Sequence, residues 1–478
     1  MLYNVALHPL RRYPGPKLWA ATRVPYALMI IRGDPHKTIL ALHRRYGADV
    51  VRISPNELSF QHPDAWKDIM GFRSVGGGGG RRTEENEKDP HSTDERQIEI
   101  ISARRRDHGR YRRVLSHGFS ARSMQDQQPI IRSYVDLLVR RLRGLSSGGG
   151  GPVDMVAWYN YATFDIIGDL AFGEPFGCLD RSDYHPWVSG IFQNMKMLSL
   201  VNLARSFRLL APLLRTLVPR DLVEKGRAHD AFVRERVDRR MALGTPRPDF
   251  AESMLRKGSE PLRKEEIYEN SNVLIVAGSE TTATALAGAT YLLATNPGAL
   301  ARLAAEVRGS FASEDDIDLA STAGLGYLHA VLEESLRIYP PVPTALPRRT
   351  PPEGSEVLGQ WIPGNTTIGI AHWALYHNEK FFSRPFEFRP ERWLADGGGG
   401  GAFAGDRREA FKPFQTGPRS CLGTNLAYAE MRLILARVVW AFDLRLDEAS
   451  SRGWLDGQRC YILWSKPPLM VHLTPRQP

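Results

Sequence analysis

The sequence contains little cysteine and no long apolar run. Its 478 residues include three cysteines, with neither a C-x-x-C nor a Cys/His zinc spacing, so a disulfide framework and a structural zinc site are excluded. We expect Cys178 and Cys460 to be structural. No apolar stretch approaches the ~20 residues that cross a bilayer, and no signal peptide is expected. No convincing G-x-G-x-x-G fingerprint is present, so electrons for any redox chemistry must come from another chain.

Positive charge is in excess, with a net charge of +10. Arginines cluster at residues 104–106, 110, 112 and 113. No nucleic-acid recognition motif accompanies this run, so nucleic acid is not an expected partner. Two interpretations stay open: a solvated helix face, and a docking surface for an acidic electron-donor protein, where charge complementarity speeds encounter more than it tightens binding.

One cysteine lies in a distinctive setting. Residues 414–423 read FQTGPRSCLG and precede an apolar helical pattern. A cysteine just ahead of a helix lies near backbone N–H donors and the positive end of the helix dipole, which favours the thiolate. Gly417 and Gly423 allow a tight turn and the close approach of a flat ligand, and Arg419 supplies charge for a carboxylate. A buried free cysteine is the common alternative, but the whole set favours a haem cradle with Cys421 as the axial metal ligand.

The fixed residues of this loop are Phe414, Gly417, Arg419, Cys421 and Gly423. They match F-x-x-G-x-R-x-C-x-G, and the sequence therefore resembles the cytochrome P450 family. The resemblance implies a mainly α fold with a small β-rich lobe, and haem b held between a long distal helix and the proximal cysteine loop. We expect one domain over residues 1–478.

The distal helix is expected over residues 270–293, where no proline interrupts the pattern. Its segment AGSETT resembles the family's [A/G]-G-x-[D/E]-T-[T/S]. Ala277 and Gly278 lack bulk, so a diatomic ligand or substrate has room beside the backbone. Cleavage of the O–O bond needs protons, and we expect Thr281 to act in oxygen activation and Glu280 in proton supply. A threonine bonded back to a carbonyl is the alternative.

Further residues are assigned to the haem carboxylates by the resemblance. His108 and Arg112 share a helix face and resemble the family's W-x-x-x-R propionate-binding helix, with His in place of Trp. A solvated face is the alternative for this pair. Arg348 is a candidate for another propionate contact, and Arg349 stays open.

A supporting cluster is also implied. Glu334 and Arg337 match E-x-x-R, and Arg392 lies in the later segment FRPERW, which resembles the family's P-E-R-[FW]. We expect the three to form a buried ion cluster that holds the Cys421 loop.

The substrate cavity is assigned by position alone. Val342, Thr344 and Ala345 are the expected specificity residues. Residues 187–220 are rich in methionine and other apolar residues, which favours packed core helices, or else the mobile helices that roof the cavity in the family.

Several segments are expected to lie outside the core. Residues 1–20 resemble the proline-rich hinge that follows a membrane anchor. If the native protein has an anchor, this predicts a location on the cytosolic face of the endoplasmic reticulum. Otherwise we expect peripheral contact with a membrane. Residues 76–99 are expected to be a disordered insertion. The glycine runs at 148–151 and 397–401 predict surface loops, and residues 52–60 predict a short hairpin.

The resemblance implies a haem-thiolate monooxygenase that uses O2 and electrons from NADPH, delivered by a separate NADPH-cytochrome P450 reductase. Residues 112–120 and 161–173 resemble the fungal group that includes trichothecene C-15 hydroxylase-like enzymes, so the expected substrate is an apolar secondary metabolite, a terpenoid or polyketide, hydroxylated or epoxidised. Two alternatives stay open: a haem-thiolate isomerase or dehydratase that needs no reductase, and a non-catalytic haem-binding protein.

Overall fold

The computed structural model describes most of the chain. Described are residues 1–75, 82–90, 96–147, 150–185, 196–197, 199–201, 203–204, 207, 220–256, 260–395 and 401–476. The expected cavity roof at 187–220 and the two glycine-run loops fall wholly or largely outside these residues.

Helices dominate the described residues. They are α1 (Leu2–Ala6), α2 (Lys17–Ala21), α3 (Val24–Arg32), α4 (Pro35–Tyr46), α5 (Ala65–Met70), α6 (Arg105–Ser116), α7 (Ala121–Ser146), α8 (Met155–Phe172), α9 (Cys178–Arg181), α10 (Arg220–Ala242), α11 (Phe250–Leu255), α12 (Lys264–Ala294), α13 (Pro297–Ser310), α14 (Gly326–Ile338), α15 (His372–Tyr376), α16 (Thr424–Ala441) and α17 (Glu448–Ser451). Short 3-10 helices cover Pro9–Arg12, Glu314–Asp316, Ser321–Gly324, Pro390–Trp393 and Arg408–Ala410.

The strands are short and form small sheets. They are β1 (Val50–Ser54), β2 (Glu57–Phe60), β3 (Phe72–Val75), β4 (Arg82–Glu85), β5 (Glu87–Lys88), β6 (Val153–Asp154), β7 (Arg348–Arg349), β8 (Ser355–Val357), β9 (Gln360–Ile362), β10 (Thr367–Ile370), β11 (Phe442–Leu446), β12 (Arg459–Tyr461), β13 (Leu463–Ser465) and β14 (Met470–Pro475). The largest sheet has the order β1-β2-β10-β7-β5, with β2 and β10 parallel. The expected mainly helical fold with a small β-rich lobe is confirmed, as is the β1–β2 hairpin.

The long helix α12 runs through the core, packing against α8, α14 and α16. It begins at Lys264, earlier than the predicted residue 270. The carboxylate of Glu266 accepts a hydrogen bond from the backbone N–H of Arg263 at 2.8 Å and caps the helix start. This first turn is charged, so the apolar pattern used for prediction did not include it.

The expectation that all of residues 76–99 are disordered is wrong for residues 82–90. Strand β4 pairs with β3, and β5 pairs with β7. The Asn86 side-chain amide donates to the carbonyls of Asp68 and Ile69 at 3.1 and 3.2 Å. Contacts with distant parts of the chain order this segment, although its own composition is polar.

The amino-terminal segment packs against the β-rich lobe. The Arg52 backbone N–H donates to the Pro14 carbonyl at 2.8 Å, and its guanidinium donates to the Asn4 carbonyl at 2.9 Å. In the described part of the chain, α12 alone is long and apolar enough to cross a membrane by length and composition, but 72% of its most apolar window is buried, as in a core helix.

Candidate functional site

The cysteine loop is a tight turn held by backbone contacts. The Cys421 N–H donates to the Phe414 carbonyl at 2.8 Å. Gly417 has φ +80°, and a Cβ there would lie 2.0 Å from the Met70 carbonyl oxygen, so glycine is required. The sequence also predicted a tight turn that requires glycine at Gly423, and this is wrong because the φ of −83° there suits any residue. A Cβ at Gly423 would lie 4.0 Å from the Cys421 sulfur, so this glycine leaves space beside the sulfur.

Cys421 is the accessible cysteine of the three. It is exposed, whereas Cys178 and Cys460 are buried. Burial raises the pKa of Cys178 to about 12, which fits a structural thiol. No group of three or more His, Cys, Asp or Glu side chains suited to a metal occurs in the described ranges. As the exposed thiol, Cys421 is the candidate metal ligand.

The sequence predicted that the start of the following helix favours the thiolate form of Cys421. The surroundings of Cys421 in the structure have the opposite net effect. Although Cys421 is exposed, desolvation by the surrounding protein raises the pKa of its thiol, outweighing the Gly423 N–H, the Thr424 side chain and the Arg112 guanidinium, which all act to lower it. A metal cation on the sulfur would reverse this balance, because a coordinating thiol is deprotonated outright.

Two of the arginines predicted to bind the haem carboxylates, Arg112 and Arg419, hold the cysteine loop to neighbouring segments. Arg112 donates to the Ser420 carbonyl at 2.7 Å and to the Ser420 hydroxyl at 3.1 Å. Arg419 donates through Nε and Nη2 to Glu85 Oε1 at 2.9 and 2.8 Å, and through Nη1 to the Ala103 carbonyl at 2.8 Å. Glu85 lies in the segment expected to be disordered, so its role was missed.

Four basic side chains act on His108, and burial, followed by the charges of Arg348 and Arg419, lowers the pKa of one of them, Lys88, well below its usual range. Burial, followed by the charges of Arg419, Arg112, Lys88 and Arg348, lowers the pKa of His108 to about 3. Lys88 and Arg348 are register partners on β5 and β7, and like charges placed opposite each other destabilise a strand pair. The site therefore favours an anionic ligand.

Arg348 has the donor that such a ligand needs. Its residue exposure is 1%, and its Nη1 has no hydrogen-bond partner within the described segments. An unpaired buried donor is costly, and a carboxylate would satisfy it. Arg349, left open by the sequence, follows on the same strand and projects to the opposite face. Lys88 was missed for the same reason as Glu85.

The α12 helix presents an accessible face. Ala277 is exposed and Thr281 half-buried, and the Thr281 hydroxyl donates to the Ala277 carbonyl at 2.7 Å. The expected role of Gly278 in leaving room for a ligand is wrong in this structure. A Cβ there would lie 2.7 Å from Ile167 Cδ1 of α8, so the glycine permits close helix packing.

Glu280 is buried beside a lysine that sequence reasoning missed. Lys466, which follows β13, forms an ion pair with Glu280 Oε1 and donates to the Thr284 hydroxyl at 2.6 Å. Burial raises the pKa of Glu280 despite this pairing. No local pattern in the sequence links residues so far apart.

The structure brings Glu334, Arg337 and Arg392 together in a fully buried cluster. Arg337 binds Glu334 bidentately at 2.8 Å, and Arg392 Nε lies 3.2 Å from Glu334 Oε2. Burial acts to raise the pKa of Glu334, but the two arginines outweigh it and the pKa lies below its usual range. Trp393 and Asp406, which the sequence did not indicate, bind Glu334 and Arg392 respectively.

This cluster connects to the cysteine loop through Tyr376. Arg337 Nη1 donates to the Tyr376 carbonyl at 2.9 Å, and the Tyr376 hydroxyl accepts from the Lys412 N–H at 3.1 Å, two residues before Phe414. The expected cavity residues Val342, Thr344 and Ala345 follow α14 and are all partly accessible.

Haem fits these residues: the exposed thiol suits its iron, the surplus cations suit its two carboxylates, and α16, which follows the thiol, packs against α12. With the mainly helical fold, these features fit the class of haem oxidoreductases whose iron is bound by a cysteine. The chain belongs to the cytochrome P450 family, whose model matches residues 14–473.

Its relatives are fungal enzymes that align along nearly their whole length. Trichothecene C-15 hydroxylase of Fusarium sporotrichioides is 47% identical over 480 residues, which cover 100% of this chain and 95% of the relative. Cytochrome P450 monooxygenase astJ of Aspergillus oryzae is 43% identical, covering 100% and 94%. Averantin hydroxylase of Dothistroma septosporum is 43% identical, covering 100% and 89%.

Replacing Arg337 with alanine should give protein without haem. The change strands buried Glu334, which costs about 3–5 kcal/mol of unfolding free energy, and removes the link through Tyr376. Haem content per protein and urea unfolding measure both effects. Arg389→Ala, at an exposed neighbour, is the control, and normal haem occupancy in Arg337→Ala would contradict the supporting role.

Arg348→Met and Arg349→Met form a matched pair. Arg348→Met would remove a charge-assisted hydrogen bond worth about 1.5–3 kcal/mol, so haem should dissociate from this variant roughly 10- to 100-fold faster than from the wild type. The rate is measured by the transfer of released haem to apomyoglobin. Arg349→Met should release haem at nearly the wild-type rate. Faster loss from Arg349→Met alone would assign the contact to Arg349.

Proposed function

We propose that the chain is a haem-thiolate monooxygenase that inserts one oxygen atom of O2 into an apolar secondary metabolite, by hydroxylation or epoxidation. The observation that carries this proposal is the exposed Cys421 beside a group of cations that lacks a matching number of anions. Bound haem would supply the activation of O2 and the oxygen insertion, while the chain supplies binding, orientation and protons.

The cofactor-binding roles follow from the contacts. Cys421 is the proposed metal ligand, in a loop closed by the Phe414 carbonyl and with space beside the sulfur at Gly423. Arg112, Arg348 and Arg419, with neutral His108, hold the haem carboxylates, and Lys88 joins them. Arg419 already donates to Glu85 through Nε and Nη2 and to the Ala103 carbonyl through Nη1, which leaves one hydrogen on each terminal nitrogen for a further acceptor.

The proton-supply roles belong to α12. The Thr281 hydroxyl gives its hydrogen to the Ala277 carbonyl, so its oxygen lone pairs stay available to accept from a water. Glu280 is the proposed source of protons for that water. Ala277 keeps side-chain bulk away from this face, while Gly278 lets α8 pack closely against the helix.

Electrons are proposed to come from NADPH through a separate cytochrome P450 reductase. The arginines at 104–106 and Arg113 are exposed on or just before α6, and the same helix carries Arg112, which binds Ser420 next to Cys421. An acidic donor protein docked on this basic surface would lie close to the cysteine loop. The proposed location is the cytosolic face of the endoplasmic reticulum if the native protein has an anchor, and otherwise peripheral membrane contact.

The substrate proposal depends on the relatives and on position. The names of two relatives specify hydroxylation of trichothecene and averantin, which supports a terpenoid or polyketide here. The partly accessible Val342, Thr344 and Ala345 are proposed to line its cavity.

Substrate-dependent NADPH consumption with an added reductase tests the function. We expect consumption to require O2, and metabolite profiles of a host with and without the protein to differ by one oxygen atom. Turnover of a hydroperoxide without any electron donor would instead establish an isomerase or dehydratase. Absence of both activities in haem-loaded protein would indicate a non-catalytic haem protein.

Cys421→His should retain some haem but lose monooxygenation, because a neutral imidazole does not push electron density as a thiolate does. The reduced, carbon-monoxide-bound protein should also lose its red-shifted Soret band. Haem content, spectrum and product yield are compared with wild type. A histidine variant that still forms product would show that the thiolate is not needed.

A further inference from the structure

The ion pair between Glu280 and Lys466 joins two distant parts of the chain. Both side chains are only 4% exposed. Lys466 follows the β12–β13 hairpin near the carboxyl terminus, and Glu280 lies in the middle of α12. Lys466 Nζ contacts Glu280 Oε1 and also donates to Thr284 Oγ1 at 2.6 Å. One lysine thus fixes two side chains one helical turn apart.

The pair leaves the two carboxylate oxygens in different situations. Oε1 contacts Lys466, whereas Oε2 is buried without a hydrogen-bond partner in the described part of the chain. Successive helix residues project about 100° apart, so Thr281 follows Glu280 directly on α12 and, three residues before Thr284, lies on the same side of the helix as Thr284. Oε2 is therefore the oxygen that remains available to carry a proton.

Lys466 is the cation that faces the Glu280 carboxylate. Two further ionisable groups interact electrostatically with Glu280, the hydroxyls of Tyr184 and Tyr339, which belong to other parts of the chain. Burial raises the pKa of both tyrosines, so both remain neutral at physiological pH. Lys466 is the charged group in the described residues that offsets the burial of an ionised Glu280, so its removal would leave that burial uncompensated there.

We propose that Lys466 is a positioning residue for proton supply: it holds Oε1 of Glu280, keeps the carboxylate able to ionise, and leaves Oε2 to take up a proton and pass it to a water bound at Thr281. In each cycle an O–H bond forms at Oε2 and then breaks, with no change in oxidation state at Glu280. This inference depends on the proposed monooxygenase function.

The sign of the pH effect follows from the charges. Burial raises the pKa of Glu280, and Lys466 acts in the opposite direction. Lys466→Met would raise that pKa further, so Glu280 would hold its proton more tightly at neutral pH and release it less readily to the water at Thr281, because a relay group works best with a pKa near the working pH. Raising the pH would restore the ionised form.

The first test is a double-mutant cycle on haem-loaded protein without turnover. Lys466→Met should lower the thermal midpoint by about 3–5 °C, and Glu280→Gln combined with Lys466→Met should lose less than the sum of the single changes. Lys17→Met, an exposed lysine, is the control. Additive effects would overturn the pairing, whether or not the protein is a monooxygenase.

The second test measures hydrogen peroxide released per NADPH, with added reductase, from pH 6 to 9. Lys466→Met should release several-fold more peroxide at pH 7 and return toward wild type at a pH about one unit or more higher. Lys466→Arg should resemble wild type, and Glu280→Gln should release excess peroxide at every pH. A Lys466→Met profile that matches wild type would overturn the proton-supply role. If the wild type consumes no NADPH while the cycle still shows coupling, the proposed function fails and the ion pair stands.

Discussion

The fully buried carboxylate of Glu334 is the interaction on which the cysteine loop depends. A buried charge is tolerated when partners satisfy every oxygen, and here Arg337, Arg392, Trp393 and the Arg389 N–H do so. Arg337 in turn fixes the backbone around α15, and Tyr376 passes that constraint to the cysteine loop. The position of Cys421 therefore follows from charge compensation that involves three separate segments.

The region around His108 has the opposite character, because within the described residues four basic side chains meet only two acidic ones, Glu85 and Glu99. Arg348, Lys88 and Arg419 crowd together with Glu85 as the hydrogen-bonded anion, and a buried guanidinium donor on Arg348 is left without a partner. Such an arrangement is unfavourable for the protein alone and becomes favourable when a dianionic cofactor binds. The same fold thus contains one cluster built for rigidity and one built for a ligand.

Helix α12 combines packing and chemistry along a few residues. Gly278 allows the close approach of α8, the exposed Ala277 and half-buried Thr281 form an accessible face, and Glu280 turns toward Lys466. Since consecutive residues project in different directions, one short segment serves three neighbours. This explains why a motif of six residues carries so much of the family resemblance.

The sequence alone was sufficient where the determining contacts are local. The cysteine loop, the i,i+3 pair of Glu334 and Arg337, and most of α12 follow from spacing, helical periodicity and the conformational demands of Gly417. Tertiary structure decided the partners of charges that lie far apart in the chain: Glu85 for Arg419, Lys88 opposite Arg348, Asp406 for Arg392, and Lys466 for Glu280. It also ordered residues 82–90, whose composition predicts disorder. The reason is physical: periodicity records which face of an element is apolar, whereas the pairing of buried charges depends on which distant segments the packed core brings together.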